Sequence, residues 1–484
     1  MAENPPADLL VVGAGLAGIG AAAGFRQAFP GKRLRILESR ARIGGTWDLF
    51  RYPGVRSDSD MYTLCYTRRP WTRTQTMVDG ASIRDYIVAT ARESGILDDI
   101  DFGQRAVSAS WSNARRTWRV STVDAHTGAT AEVEARFLHL CTGYYDYAAG
   151  YQPHFEDQEK FLGRIIHPQH WPQDLDLRGQ RVVVIGSGAT AVTLVPALAR
   201  EASQVTLLQR SPSWVASQPE RDPLARWLFP WLPGRLAWQL VRWKKILEAQ
   251  LQYSLAKWRP EFIKRQILKM AREALPEGYP VEAHFQASYN PWDQRVCAVP
   301  DGDLFAAIAE GKVEMVTDHV ERFVTDGILT RSGRHLQASL IVTATGLVIR
   351  PLGGMALEVE GEPVRLADAM VYRGALLSGV PNLAYTFGYI NASWTLRAEL
   401  VAALVRRLIR HLDRHDLAWV MPKRDPSVEE RPFVDFSPGY IQRALDELPS
   451  QGDRFPWRVH QNYLRDWLDT RLSPLDHPAL TFGR

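Results

Sequence analysis

A chain of 484 residues and 54.6 kDa predicts two to four domains of about 100–200 residues each. Its composition, 45% hydrophobic and 23% charged, excludes disorder and fibre and allows a sizeable core. A net charge of +4 makes no case for nucleic acid, yet the charge is uneven: twelve Lys/Arg stand against four Asp/Glu between Arg221 and Leu275.

The opening residues, Met1 to Pro6, carry neither a basic region nor an apolar run, so no signal peptide is expected. Three long uncharged stretches (9–25, 182–199 and 374–396) are each broken by Gly, Pro, Ser or Asn, unlike a span of about 20 apolar residues. Cys65, Cys141 and Cys297 are far apart with no C-x-x-C, the usage of buried thiols in a reducing cytosol. A soluble, cytoplasmic protein is expected.

The first predicted element is a strand, Leu9-Leu10-Val11-Val12, running into Gly13-Ala14-Gly15-Leu16-Ala17-Gly18 and a small-residue helix. Glycines allow a tight turn and close approach of a pyrophosphate, and the helix N-terminus supplies free N–H groups. A lone G-x-G-x-x-G is weak evidence. Here a second strand, Leu34-Arg35-Ile36-Leu37, completes the βαβ unit and ends at Glu38, where a carboxylate can accept ribose hydroxyls. Gly13, Gly15, Ala17, Gly18 and Glu38 are therefore candidate nucleotide ligands. A further glycine pair follows in Ile43-Gly44-Gly45-Thr46-Trp47, and the segment from Asp48 to Asp60 holds no cysteine. With no thiol pair to receive electrons, oxygen is the expected acceptor.

The pattern returns 173 residues later. Arg181-Val182-Val183-Val184-Ile185 leads into Gly186, Ser187, Gly188, Ala189, Thr190 and Ala191, and the next strand, Val205 to Leu208, ends at Gln209-Arg210. Losing the acid and gaining a guanidinium suits a 2′-phosphate, which a carboxylate would repel. The first turn thus reads as a site for FAD or NAD and the second as one for NADP(H). Two such units predict two cofactors that exchange a hydride.

Between the units lies Phe161-Leu162-Gly163-Arg164-Ile165-Ile166-His167-Pro168-Gln169-His170-Trp171-Pro172. It resembles the F-x-G-x-x-x-H-x-x-x-W-P fingerprint of type I Baeyer–Villiger monooxygenases at every fixed position. The runs at 44–64, 183–199, 289–295 and 391–396 are similar to the ethionamide-activating subgroup. The resemblance implies an FAD-dependent enzyme that uses NADPH and O2 to convert ketones to esters or lactones through a flavin peroxide. It also implies oxidation of sulfur in thioethers or thiocarbonyls. By the same resemblance Arg295, in Tyr289-Asn290-Pro291-Trp292-Asp293-Gln294-Arg295, is the cation that stabilises the peroxide anion, and Asp58 is its carboxylate partner. Gly45, Thr46, Trp47, Asp48, Leu49, Arg56, Ser57 and Asp58 are expected around the flavin, with the backbone of Ala106 at the adenine. Many relatives carry Lys where this chain has Gln294, which leaves Arg210 with more of the NADP phosphate. His167 is expected to couple domain movement to turnover. As a simpler role, Asp58 or Asp60 could cap the helix that follows. His154, His167 and His170 lack the spacing and the companion ligands of a metal site, and none is expected. Two alternatives remain: a flavin monooxygenase limited to S- or N-oxygenation, and a nucleotide-responsive redox flavoprotein.

The expected architecture is α/β, two dinucleotide-binding (Rossmann-like) domains with a helical insert in the NADP domain. Residues 1–146 and 378–484 form the FAD domain, 147–220 and 293–377 the NADP domain, and 221–292 the insert. The segments Leu140 to Gly143 and Thr343 to Gly346 read as returns between domains. The insert carries Trp227, Trp231, Trp238, Trp243 and Trp258 among Lys and Arg. Helices that pack these aromatics onto the core are the simpler expectation, and peripheral contact with a membrane surface the alternative.

Overall fold

The computed structural model describes residues 5–434 and 439–484; the first four residues, part of the segment read for a targeting signal, lie outside that range. Two five-stranded parallel sheets organise the chain. The first has the order Leu383–Tyr385, Leu138–Leu140, Leu9–Val12, Leu34–Glu38, Ile100–Phe102. The second has the order Val313–Thr317, Gln204–Gln209, Arg181–Ile185, Leu340–Thr343, Arg164–Ile166. In each sheet the strand before the glycine turn is central and covered on both faces, which is why it reads as an unbroken apolar run rather than an alternation. Small residues then let the following helices, Leu16–Ala28 and Ala189–Leu198, lie close to their sheets.

An antiparallel meander, Gln104–Ser112, Thr117–Asp124 and Thr130–Ala135, adjoins the first half. Its edge is extended by Ala356–Val359, parallel to Gln104–Ser112, and by Glu362–Pro363. The chain is therefore back on the first half by residue 356, earlier than the residue 378 expected from the sequence. A four-residue strand just after Gly353 and Gly354 is too short to show a period of its own. The helix Trp394–Arg414 then packs Val401, Leu404, Val405, Leu408 and Leu412 into the core formed with Ile19, Ala22 and Ala23.

The insert belongs to the second half, bracketed by the parallel pair Val215–Gln218 and Cys297–Pro300. It contains the helices Pro223–Leu228, Gly234–Trp258, Pro260–Ala274 and Val281–Phe285. Pro223 and Pro260 occupy first helical positions, where no N–H is needed. The long helix reaches across to the first half. Trp238 Nε1 donates to Cys65 Sγ at 3.2 Å, and Arg242 donates to the carbonyls of Tyr62 and Cys65 at 2.9 and 3.0 Å. Of the five tryptophans from Trp227 to Trp258, Trp238 is buried and Trp227, Trp231, Trp243 and Trp258 are exposed, so packing onto the core describes Trp238 alone among them. No helix among the described residues is long and apolar enough to cross a membrane.

Candidate active site

The first glycine turn is a backbone cradle. Gly13 has φ +104°, and a Cβ there would lie 2.6 Å from the Cys141 carbonyl oxygen; a Cβ on Gly18 would lie 1.8 Å from that of Gly13. The helix beyond, with Ala17 in its first turn, has no acid in that turn and no side-chain cap, leaving its N–H groups to an anion. Glu38 is buried at the end of the neighbouring strand. Its Oε2 accepts the Ala14 N–H at 2.8 Å and its Oε1 the Arg40 N–H at 2.9 Å, and burial pushes its carboxyl pKa up. Oε1 also accepts from the Ser39 hydroxyl at 3.4 Å, and Oε2 keeps a second lone pair for a ribose hydroxyl. Gly45 (φ +55°) lies against Gly15 so closely that a Cβ would be 2.9 Å from the Gly15 Cα. These features fit a dinucleotide whose pyrophosphate crosses the turn.

The residues after this glycine pair have mixed surroundings. Thr46 Oγ1 lies 3.3 Å from the Tyr147 hydroxyl. Trp47 packs beside Gly80, and half-buried Leu49 donates its N–H to the Gly45 carbonyl at 2.9 Å. Asp48 is buried among cations, 2.7 Å from Arg40, 2.8 Å from Arg51 and 3.4 Å from Arg42, so it fixes the loop's own arginines. Ala106 sits at a bulge in Gln104–Ser112.

The second turn repeats the device. Gly186 has φ +148°, and a Cβ there would lie 2.3 Å from the Ala344 carbonyl oxygen, while Gly188 faces open space. The helix starting at Ala189 has no acid in its first turn, and Ala191 is buried behind it. Ser187 accepts a hydrogen bond from Ser213 at 2.9 Å. Gln209 is buried, donating to the His284 carbonyl at 2.8 Å and to Thr317 Oγ1 at 2.9 Å; it pins the strand end. Arg210 is exposed and makes no ion pair among the described residues, free to meet a phosphate. This donor set fits NADP(H).

The segment from Tyr52 to Asp60 joins the halves. Tyr52 belongs to the second half's core, and its hydroxyl hydrogen-bonds Thr190. A Cβ on Gly54 (φ +76°) would come within 2.8 Å of the Thr193 carbonyl oxygen and of Ala197. Arg56 pairs with Asp303 of the second half at 2.6 Å. Ser57 is buried, accepting the Ser59 N–H at 3.0 Å. The two acids then part ways. Asp60 caps the short helix Met61–Leu64 through the Thr63 N–H at 2.9 Å, whereas Asp58 meets Arg295 of the second half, Oδ2 to Nη1, at 2.8 Å.

Arg295 is carried on a tight turn. Trp292 adopts φ +65°, a left-handed conformation that is uncommon for a bulky residue and costs about 1–3 kcal/mol. Asp293 is tied back to the Asn290 carbonyl and to Lys257, at 3.0 and 2.7 Å. The Arg295 side chain stays 39% exposed. The Asp58 carboxylate beside it, with the hydroxyls of Tyr440, Tyr144 and Tyr145 near by, holds its pKa well above the usual arginine value. Tyr144 and Tyr145 share a 2.5 Å hydrogen bond, and Tyr144 stacks on Trp394 with centroids 4.9 Å apart.

His167 is buried where the linker meets the second return segment. Its Nδ1 accepts the Gln169 N–H and its Nε2 lies on the Gly346 carbonyl, both at 3.2 Å, which is the pattern of a neutral ring. Burial lowers its pKa. No cluster of three or more potential metal ligands occurs among the described residues. The tyrosines at 144, 145, 147 and 440 are the site residues that sequence reasoning missed; the signal for the first three was their position just after Leu140-Cys141-Thr142-Gly143.

Two dinucleotide cradles, one in each half, and an ion pair that joins the halves fit a two-cofactor oxidoreductase. Residues 50–350 match the flavin-binding monooxygenase-like family, and residues 11–76 an NAD(P)-binding Rossmann-like domain. The FAD-containing monooxygenase EthA of Mycobacterium tuberculosis is 50% identical over 479 residues, which cover 99% of this chain and 98% of that protein. OTEMO in complex with FAD and NADP has the same fold, at TM-score 0.76 and 18% identity over 99% of this chain and 100% of that one. So does a steroid monooxygenase bound to NADP, at TM-score 0.71 and 24% identity over 87% and 88% of the two chains. The chain belongs to the flavin-binding monooxygenase-like family. It is an NADPH-dependent flavoprotein monooxygenase whose cofactors are FAD and NADP.

Proposed function

We propose that this enzyme is a Baeyer–Villiger monooxygenase that converts ketones to esters or lactones and also oxidises sulfur in thioethers or thiocarbonyls. The observation that carries the reading is the Arg295–Asp58 pair, 2.8 Å long and contributed by the two halves. FAD, when bound and reduced by NADPH, would supply the two electrons that activate O2, one of whose atoms is inserted while the other leaves as water. Negative charge develops on a ketone oxygen as oxygen adds to its carbonyl, and a guanidinium that never deprotonates holds that charge best. Asp58 orients the guanidinium and comes from the half that carries Glu38, so the arrangement is complete only when the halves meet. Glu38 takes the FAD ribose, the Leu16–Ala28 N-terminus its pyrophosphate, and the residues around Gly45 and Ala106 the remainder. On the other side the Gly186–Ala191 turn takes the NADP pyrophosphate and Arg210 the 2′-phosphate, without charge from Gln294. The neutral His167 ties the linker to Gly346 and so positions one half on the other. The Trp-rich insert suits peripheral contact with a lipid surface.

Replacing the cation tests the reading. Arg295→Ala is expected to retain flavin and to keep oxidising NADPH. Ester formation from a simple ketone should fall by about 100-fold or more, the usual cost of one lost oxyanion donor, with hydrogen peroxide released instead. Sulfoxidation develops no charge of that kind and should fall less. Near-parental ester formation by the variant would exclude Arg295 from the chemistry, and a parent enzyme that forms no ester from linear, cyclic or aryl ketones would exclude the ketone reading.

A further inference from the structure

The helix Gly234–Trp258 is apolar on its solvent side. Its buried face uses Ala237, Trp238, Val241, Arg242 and Ala256. On the opposite face Leu236, Leu240, Trp243, Leu247, Leu251 and Trp258 recur at intervals of three, four or seven residues, and all are exposed, forming one continuous stripe. Leu251 is 68% exposed and Trp258 72%; the preceding turn adds Trp227 at 66% and Trp231 at 79%. Single exposed leucines are ordinary on any protein, but an aligned stripe of this length marks a docking face.

The charges beside the stripe indicate what covers it. Each of the four acids between Arg221 and Leu275 is already engaged. Asp222 is buried against Lys244 and Lys245, which also hold Glu248; Glu261 pairs with Lys264 and Glu273 with Lys269. Arg226, Arg235 and Arg259 are exposed, adjoin Trp227, Leu236 and Trp258 in sequence, and make no ion pair among the described residues. Arg259 lies over the Trp258 ring, 4.5 Å from its centroid. A second copy of this chain would bring the same excess of cations to the face, and no acid between Arg221 and Leu275 is free to meet them. Lipid phosphates supply the anions, and tryptophan with arginine is the pairing that suits the boundary between headgroups and acyl chains.

We infer that the insert docks on an anionic lipid surface, with the Leu/Trp stripe in the acyl boundary and the three free arginines on lipid phosphates. The inference stands apart from the ketone reading, because binding to lipid is measured without turnover.

The test is flotation of the FAD-loaded enzyme with vesicles of phosphatidylcholine, alone or with phosphatidylglycerol. The parent is expected to float with the phosphatidylglycerol vesicles and more weakly with phosphatidylcholine alone. Leu240→Gln/Leu247→Gln/Leu251→Gln changes only exposed positions, so it should keep flavin and NADPH oxidation while losing flotation at low and high salt. Arg226→Gln/Arg235→Gln/Arg259→Gln should lower the partition coefficient onto anionic vesicles by roughly tenfold to a hundredfold, as expected for three basic residues near such a surface. Parent enzyme that stays behind with every vesicle overturns the inference. So does a parent dimer, sized by light scattering, that the triple-leucine variant splits into monomers, since the face would then belong to a second copy.

Discussion

The two glycine turns are nearly the same object in backbone and opposites in side chain. Gly13 and Gly186 both take a left-handed φ, and each is roofed by a carbonyl oxygen of the segment returning beside it, Cys141 in one half and Ala344 in the other. Neither following helix has an acid in its first turn. The strand ends differ. Glu38 is a buried carboxylate that accepts two backbone N–H groups, while Gln209 is buried as a strut and the next residue is an exposed arginine. On the proposed function, the shared backbone geometry makes both turns dinucleotide sites, and two or three side chains at the strand end decide which dinucleotide each one takes.

The largest expected effect lies in the shared backbone and should separate the halves. Gly18→Ala places a methyl 1.8 Å from the Gly13 carbonyl oxygen, a contact that nothing but backbone movement can relieve. The protein should purify without flavin absorbance, or not at all. Gly186→Ala, with its methyl 2.3 Å from the Ala344 oxygen, should purify yellow and fail in reduction by NADPH, with a KM raised about 100-fold or more. A yellow Gly18→Ala protein, or a colourless Gly186→Ala protein, would reverse the assignment of the cofactors to the halves.

The side-chain difference should give a smaller and more selective effect. Arg210→Ala removes a charge-assisted contact worth about 1.5–3 kcal/mol. KM for NADPH should rise roughly tenfold to a hundredfold, with KM for NADH almost unchanged. Equal losses with both cofactors would show that Arg210 supports the turn rather than reading the phosphate.

Much of this contrast was legible in the residue order. Parallel strands buried on both faces must be apolar throughout, and glycines at positions of positive φ cannot be replaced, so Leu9–Val12 and Arg181–Ile185 announced themselves with their turns. Asp58 and Asp60 could not be told apart by sequence, since either acid precedes the same short helix; which one caps depends on where Arg295 arrives from 237 residues away. Tyr52 illustrates a second limit. Its ring lies in the core of the half to which its own strands do not belong, and no local period records a contact of that kind. The insert tryptophans show a third: their order in the chain does not say which side each takes, because the long helix is apolar on both faces.

The smallest expected effect at neutral pH concerns the sheets themselves. His139 lies at the centre of Leu138–Leu140 opposite Val11, and Ile341 is its counterpart in the second sheet, opposite Val183. The ring is fully buried, with Nε2 2.8 Å from Thr386 Oγ1 and no partner on Nδ1, and burial pushes its pKa down to about 3. The unfolded chain, with an ordinary pKa of about 6.5, therefore takes up a proton before the folded chain does. Stability from this group is complete above pH 6.5 and falls as the pH drops, by about 2 kcal/mol at pH 5. Denaturant midpoints read from flavin absorbance at pH 7.5 and pH 5 should diverge in the parent and converge by about that amount in His139→Gln. His167, His284 and His460 are also buried enough to have lowered pKa values, so an unchanged slope in the variant would move the acid sensitivity from His139 to one of them. A flattened slope would place it in the half that holds FAD, which would then lose its cofactor to acid while the apolar second sheet stays intact.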